Sequence, residues 1–368
     1  MNVITQFYSN FKNISWRSDL FILYESLKVD IPIYIFIAIY IMAVFIFSNV
    51  NGYESKIQLT SYMEILPIVI SISLCVSSIG YLFLLVIRLE KRPLFCFWIK
   101  LIKIYELRNR IITSFFLLTA ISAFTSCFST VKALIPLLNP FSFDELFHRL
   151  DLFLFSGVEP WKIAHGFFQS PWITLGLNIL YNFWLICVWV VLCLFLVYPI
   201  SKLRLQYLMS WLLSWSLLGN ALAYFLPSAG PAFVSLLEPL NTTYEPLMSL
   251  LHAHDAWLIE HGSWVSLWAL STQDALWESY STGKEMLGSG ISAMPSMHVS
   301  MAVLMALGVY SINKMLGWVF WIYAVIIYIG SFMLGWHYAV DGLVSAPLTY
   351  VIWRLCGYCL RHFDLGDN

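Results

Sequence analysis

The chain has 368 residues, 60% of them hydrophobic and only 11% charged, and a soluble globule of that composition would lack the polar surface needed to cover itself. It reads as an integral membrane protein with an all-α fold, a polytopic membrane helix bundle of about eight transmembrane helices in one domain. The formal net charge of -1 excludes an electrostatic case for nucleic acid as a partner, and an odd seven cysteines, mostly inside apolar runs, point to no disulfide framework.

Residues 1–30 are mixed in character, so a cleavable signal peptide is not expected. Within them "SDLFILYESLKVD", Ser18 to Asp30, has a Ser-Asp pair suited to an N-cap and apolar residues on one side, and is expected to lie as a helix on the membrane surface. A spanning helix needs about 20 apolar residues. Clean stretches occur at 31–53, 65–87, 111–131, 166–201, 205–237 and 315–336; two more hold ionisable residues, 293–313 with His298 and 338–360 with Asp341 and Arg354. Three spans thus fill 31–131, five spans and their outside loops fill a second region at 132–360, and 361–368 is a cytoplasmic tail.

Basic residues set the orientation. With the N-terminus inside, the inside segments hold Lys12, Arg17, Lys28, Arg88, Lys91, Arg92, Lys100, Lys103, Arg108, Arg110, Lys202, Arg204, Lys314, Arg354 and Arg361, leaving only Lys56, Lys132, Arg149, Lys162 and Lys284 outside. That bias predicts cytoplasmic termini. Two outside segments are long. In 132–165, "FDELFHRLDLFLF" crowds Leu146, Leu150, Leu152, Phe153 and Phe155 on one side with charges opposite, the pattern of an interfacial helix. From about Leu226 to Ala293 the chain is rich in Ser, Gly, Pro and His, and is expected to be a long irregular loop on which a site can be assembled. Its His252, His254 and His261 lack a ligand spacing and read as solvated, not as a zinc site. "CGYC" at 356–359 reads as small apolar residues of a helix, since no strand precedes it as a redox motif requires.

His298 opens a helix in "SAMPSMHVSMAVL", with Pro295 and Ser296 as starting residues. From His298 to the turn "INKML" is roughly 23 Å of helix, and from Lys314 back to His337 roughly 34 Å, at 1.5 Å per residue. Both histidines therefore come to the same membrane face, the outer one by the charge count. His337 and Asp341 are four apart, so a helix would stack them on one face. An Asp in a span needs a partner. Bonded to one ring nitrogen, the carboxylate fixes the tautomer and leaves the other nitrogen bare, as a nucleophile or base.

"PSMH" at 295–298, followed 39 residues after its histidine by "HYAVD" at 337–341, resembles the type-2 phosphatidic acid phosphatase superfamily, especially its inositol phosphorylceramide synthase-like branch. The likeness extends to "FDELFHRLDLFLFSGVEPW", "YNFW" at 181–184 and "LPSAGPAF" at 226–233. It implies a six-helix catalytic core with extra N-terminal spans and interfacial helices, acting on the extracytoplasmic face. The implied chemistry is phosphoryl transfer without metal or cofactor: His337 attacks phosphorus and becomes a phosphohistidine, Asp341 orients it, and His298 protonates the leaving alcohol. The donor would be a phospholipid and the acceptor a lipid alcohol, as in sphingolipid metabolism, or water in a phosphatase. The classical first motif, Lys, six residues, then Arg-Pro, is not met by "KRP" at 91–93, and the arginine expected six residues before the nucleophile is Ser331. Phosphate contacts are therefore expected from Pro295, Ser296, Tyr338, Lys284 and Arg149. A rival of another class is a transporter with His298, His337 and Asp341 as a proton relay, which would place ionisable residues at mid-membrane or break helices in paired halves.

Overall fold

The computed structural model describes residues 16–284, 288 and 290–362, so the first half of the N-terminal segment 1–30 and most of the tail 361–368 lie outside the described residues. Every regular element among the described residues is helical. The chain divides into two compact units, residues 1–127 with 196–200, and residues 128–195 with 201–368.

In the first unit, α1 (Trp16–Val50) fuses the expected surface helix and the first span into one element that continues through Pro32. No helix-stopping pair separates the two sequences, and apolar side chains on one side of the first half run straight on into the span. α2 (Ser61–Ile87) is the second span, and α3 (Pro93–Glu106) is a short helix begun by a proline in its first turn. α4 (Arg108–Leu138) is the third span. At its start Arg108 meets Asp19 of α1 at 2.8 Å, and Asn109 adds a bond of 3.2 Å. Further along, Tyr40 packs on Phe124 at 4.4 Å between ring centroids, and Tyr62 donates its backbone N–H to Ser126 Oγ at 3.1 Å.

α4 continues to Leu138, well past the expected end of the span, and its last turns belong to the second unit. There follow α5 (Asp144–Leu154), α6 (Pro160–Phe167), α7 (Pro171–Val197) and α8 (Lys202–Leu213), which runs on through a π-helical stretch, Ser214–Leu222, to Phe225. The segment expected to be an irregular loop instead holds α9 (Glu245–Glu260) and α10 (Trp268–Thr282). α9 buries Leu247, Leu251, His254 and Leu258, a stripe at helical spacing whose one polar member blurs it in the sequence. α11 (Met297–Ile312), α12 (Lys314–Met333) and α13 (Ala339–Cys359) complete the unit.

α11 is buried all round, from Val299 through Ala306 and again at Gly308 and Val309. In lipid, apolar surface gains nothing by leaving the solvent, so such a helix is held by close van der Waals packing and polar ties. At Gly308 a side chain would collide with the Tyr207 ring, itself stacked on Phe195 at 3.8 Å. Ser300 and the α13 residue Thr349 share a hydrogen bond of 2.7 Å. A single residue, Asn313, joins α11 to α12, and its Oδ1 accepts the Leu316 N–H at 3.0 Å.

Among the described residues, six helices are long and apolar enough to cross a membrane: those within 19–50, 54–87, 108–138, 171–197, 202–225 and 314–333. The protein is thus a multi-pass membrane protein. The two expected spans with ionisable residues do form helices, α11 of 16 residues and α13 of 21, but neither is among those six.

Candidate active site

His298 is the second residue of α11, where Ser296 is the N-cap and its Oγ accepts the Val299 N–H at 3.4 Å. Two aromatic residues of α7, one helical turn apart, grip the imidazole. Tyr181 stacks on it at 4.4 Å between centroids and 24°, Trp184 lies at 4.3 Å, and the Trp184 indole N–H donates to the His298 carbonyl at 2.9 Å. The "YNFW" motif is therefore a holder for this ring.

His337 does not sit on the helix with Asp341, as its spacing predicted. α12 ends at Met333, the chain turns through Gly335 at φ +75°, and α13 begins at Ala339 with Tyr338 as N-cap. His337 stands before the cap and Asp341 is the third helical residue, so the pair meets around a helix start and not along a helix face. The Asp341 carboxylate accepts the Tyr338 N–H at 3.0 Å, satisfying an amide that the helix start leaves open, and stands 3.3 Å from His337 Nδ1. The same Nδ1 lies 2.8 Å from the Ala293 carbonyl. Both neighbours are acceptors, so Nδ1 carries a hydrogen, and in the neutral imidazole the lone pair is then on Nε2. The His337 and His298 rings are 5.7 Å apart between centroids, edge to face, so the two histidines share one end of the α11–α12 hairpin.

The remaining expected residues part company. Pro295 and Ser296 are buried beside His298, and the Ser296 N–H faces the Asp341 carbonyl at 3.4 Å. Tyr338 is 1% exposed and donates its hydroxyl to Asp144 at 3.0 Å, so it serves the framework. Arg149 is exposed and paired with Glu145 at 2.7 Å, one turn away on α5, and Lys284 is exposed at the end of α10. Ser331, in the place of the classical arginine, is buried and donates to the Tyr328 carbonyl.

Lys132 was not among the expected residues. It lies against Gly290, where a side chain would come within 3.0 Å of it, in the segment that leads into Ala293, and it is within electrostatic reach of His298. Among the described residues it makes no ion pair. The signal was present: Lys132, six residues, then Asn139-Pro140 is the classical spacing with Asn for Arg.

His254 is buried, not solvated. It bonds Thr174 at 3.0 Å and faces His165 at 5.8 Å, and burial holds both imidazoles below their usual range. No three His, Cys, Asp or Glu side chains group as a metal site among the described residues. Cys356 is buried and Cys359 exposed on α13, both as free thiols.

No curated protein and no solved structure matches the chain significantly. A family model does, that of the PAP2 superfamily, over residues 145–355, which is more than half the chain and takes in α5 to α13 apart from the first residue of α5 and the last turn of α13. Two imidazoles and a carboxylate meet at the start of two helices inside a multi-pass helical protein, and the chain belongs to the PAP2 superfamily, a membership that supports a function of the lipid phosphatase or phosphotransferase kind.

Proposed function

We propose that the protein moves a phosphate or phospho-headgroup from a phospholipid donor to a lipid alcohol through a phosphohistidine, as an inositol phosphorylceramide synthase-like enzyme would. The observation that carries this reading is the state of His337: Nδ1 is held by two acceptors, and the bare Nε2 belongs to a ring 5.7 Å from that of His298. In the first step the Nε2 lone pair forms a bond to phosphorus while the bond from phosphorus to the leaving oxygen breaks. Protonated His298 gives its proton to that oxygen, releasing an alcohol. In the second step neutral His298 takes the proton of the acceptor hydroxyl, whose oxygen bonds phosphorus as the N–P bond breaks. Asp341 offsets the positive charge that His337 acquires on attack.

Transferred phosphoryl oxygens need donors. Lys132 is the cation we assign to them, in place of Arg149, which is paired with Glu145, and Lys284, which is exposed. The protein groups named here suffice for both steps, so the reaction is written without a metal. By the distribution of basic residues, the site opens on the extracytoplasmic side, with both termini in the cytoplasm.

A lipid phosphate phosphatase differs only in the second acceptor, water. α9 and α10, whose Met248, Leu276, Trp277 and Tyr280 pack on Ala229, Ala232 and Phe233, support the lipid acceptor on this reading, because ordered apolar packing limits the entry of water. The test uses the full chain in nanodiscs with phospholipids radiolabelled at phosphorus. Wild type is expected to carry acid-labile label on the protein and pass it to a lipid alcohol, and His337→Ala to lose turnover by about 10³-fold or more. Lys132→Ala is expected to lose about 10²-fold to 10³-fold, the range for removal of one oxyanion donor. Label that leaves the donor equally well without His337 ends the reading, and label found only in inorganic phosphate selects the phosphatase.

A further inference from the structure

Two stretches remain without a role, "FDELFHRLD" at 143–151 and "PSAGP" at 227–231, and they meet. α5 turns Asp144, Phe147, His148 and Asp151 to one face, at the spacing of a helical stripe. The opposite face leaves Leu146 and Phe153 exposed, as a helix lying in a membrane interface would. The inward face thus carries two carboxylates, each occupied by donors from segments far along the chain.

Asp144 collects four. Its Oδ1 accepts the Ser228 hydroxyl at 2.8 Å, the Gly230 N–H at 2.9 Å and the Tyr338 hydroxyl at 3.0 Å, and its Oδ2 accepts the Ala229 N–H at 3.0 Å. Gly230 suits the position because its φ is +96° and a side chain there would strike the Trp336 carbonyl. Asp151 collects two, the N–H groups of Ala339 and Val340, each at 2.8 Å. These are the first two amides of α13, and with the Tyr338 N–H held by Asp341 three successive amides at the opening of that helix are bound by carboxylates.

Both sets of bonds lead towards His337. The Ser228 carbonyl accepts the Ala293 N–H at 2.8 Å, and the Ala293 carbonyl accepts His337 Nδ1 at 2.8 Å, so Asp144 reaches the imidazole through three hydrogen bonds. Asp151 fixes the backbone two residues after His337. Tyr338 is pinned by Asp144 and packs on Phe147 at 6.1 Å, while Tyr244, bonded to His148 at 2.9 Å, closes its other side at 5.8 Å.

We infer that Asp144 and Asp151 are positioning residues, and that α5 is a clamp holding the 228–230 turn and the start of α13 so that the His337 ring has one place and one tautomer. The inference rests on the proposed role of His337 for its kinetic consequence and on the hydrogen bonds alone for its structural one. In Asp151→Asn one oxygen becomes an N–H donor facing an N–H donor, so one amide loses its acceptor. Asp144→Asn does the same to the 228–230 turn, and Ser228→Ala removes a single donor without touching a carboxylate or a backbone bond.

The experiment measures lipid phosphate transfer and hydrogen–deuterium exchange on the full chain in nanodiscs. Asp144→Asn and Asp151→Asn are expected to lower kcat by about 10-fold to 100-fold, the range for partners that orient a reactive group, with KM changed by less than about twofold. Ser228→Ala is expected to lower kcat by about threefold. Exchange should quicken at the amides of 339–340 in Asp151→Asn and of 229–230 in Asp144→Asn, while α7 and α12 stay protected. Arg149→Ala, on the exposed face of the same helix, should match wild type in both assays. Unchanged kcat in both Asn variants, or exchange that rises evenly over all helices, overturns the clamp; if a carboxylate variant does not fold, Ser228→Ala decides, and a wild-type kcat there counts against it. Should wild type transfer phosphate from no lipid, the proposed function fails while local exchange still decides the clamp.

Discussion

Asp151 shows what a single carboxylate costs and provides. It is 2% exposed, and burial pushes its carboxyl up to about 7 although two amide donors favour the charged form. The titratable groups that face it are Asp341 on α13, Tyr244 ahead of α9 and Tyr328 on α12. Because its folded value lies above the unfolded one, this group favours the folded chain most below about pH 4, and that advantage is lost as pH rises through about 7. Thermal unfolding of the full chain in detergent is therefore expected to occur at lower temperature at pH 8 than at pH 5, with a flatter dependence in Asp151→Asn; an equally steep dependence in the variant would assign the effect elsewhere. The charged form is the one that offers an acceptor to each amide of the α13 start. Stability and a well-held His337 thus ask opposite things of one residue near neutral pH. The pairing of His337 with Asp341 was legible at this level, since four residues is a helical spacing. The way they meet was not, because spacing does not tell a helix interior from a helix start. Lys132 went unread because one residue of its pattern, Asn139, replaces an arginine.

Among the elements, the α11–α12 hairpin matters most, for it returns His337 to the end where His298 began. Its arms have 16 and 20 residues, about 24 and 30 Å, and the turn beyond α12 supplies the rest of the return path. Asn313 is the whole connection and caps α12 at the far end from the site. Asn313→Ala is expected to lower stability by about 1 kcal/mol, measured by reversible unfolding in mixed micelles, and to leave transfer kinetics unchanged. A kinetic defect without a stability change would mean that the turn acts on the site directly. The hairpin was readable from two apolar runs around "INKML". α9 and α10 were not, because Ser, Gly, Pro and His dominate the composition of their region, while periodicity, not composition, carries a helix. α5 was read correctly as a helix with an apolar side, and the buried use of its charged side was hidden, since a charge opposite an apolar stripe ordinarily faces water.

For the whole molecule, the basic residues predict both termini in the cytoplasm and the histidine pair outside. Cysteine accessibility tests this in intact cells or sealed vesicles. Asn241→Cys, in the turn before α9, is expected to react with a membrane-impermeant maleimide added outside, and native Cys359, exposed near the end of α13, only after the membrane is opened. The reverse pattern would invert the protein. Composition by itself determined that this chain lives in a bilayer, because 60% hydrophobic residues admit no other solvent, and two short motifs singled out the side chains to which the proposed chemistry is assigned. Only the tertiary structure decided how those side chains are held. Asp144 meets Ser228 and Tyr338, and Asp151 meets Ala339 and Val340, across as many as 194 residues of chain, and a sequence carries periods within an element but not the partners of a buried carboxylate. Those partners exist because amides at a helix start and in a tight turn need acceptors once they leave water, and the nearest inward-facing acceptors are on α5.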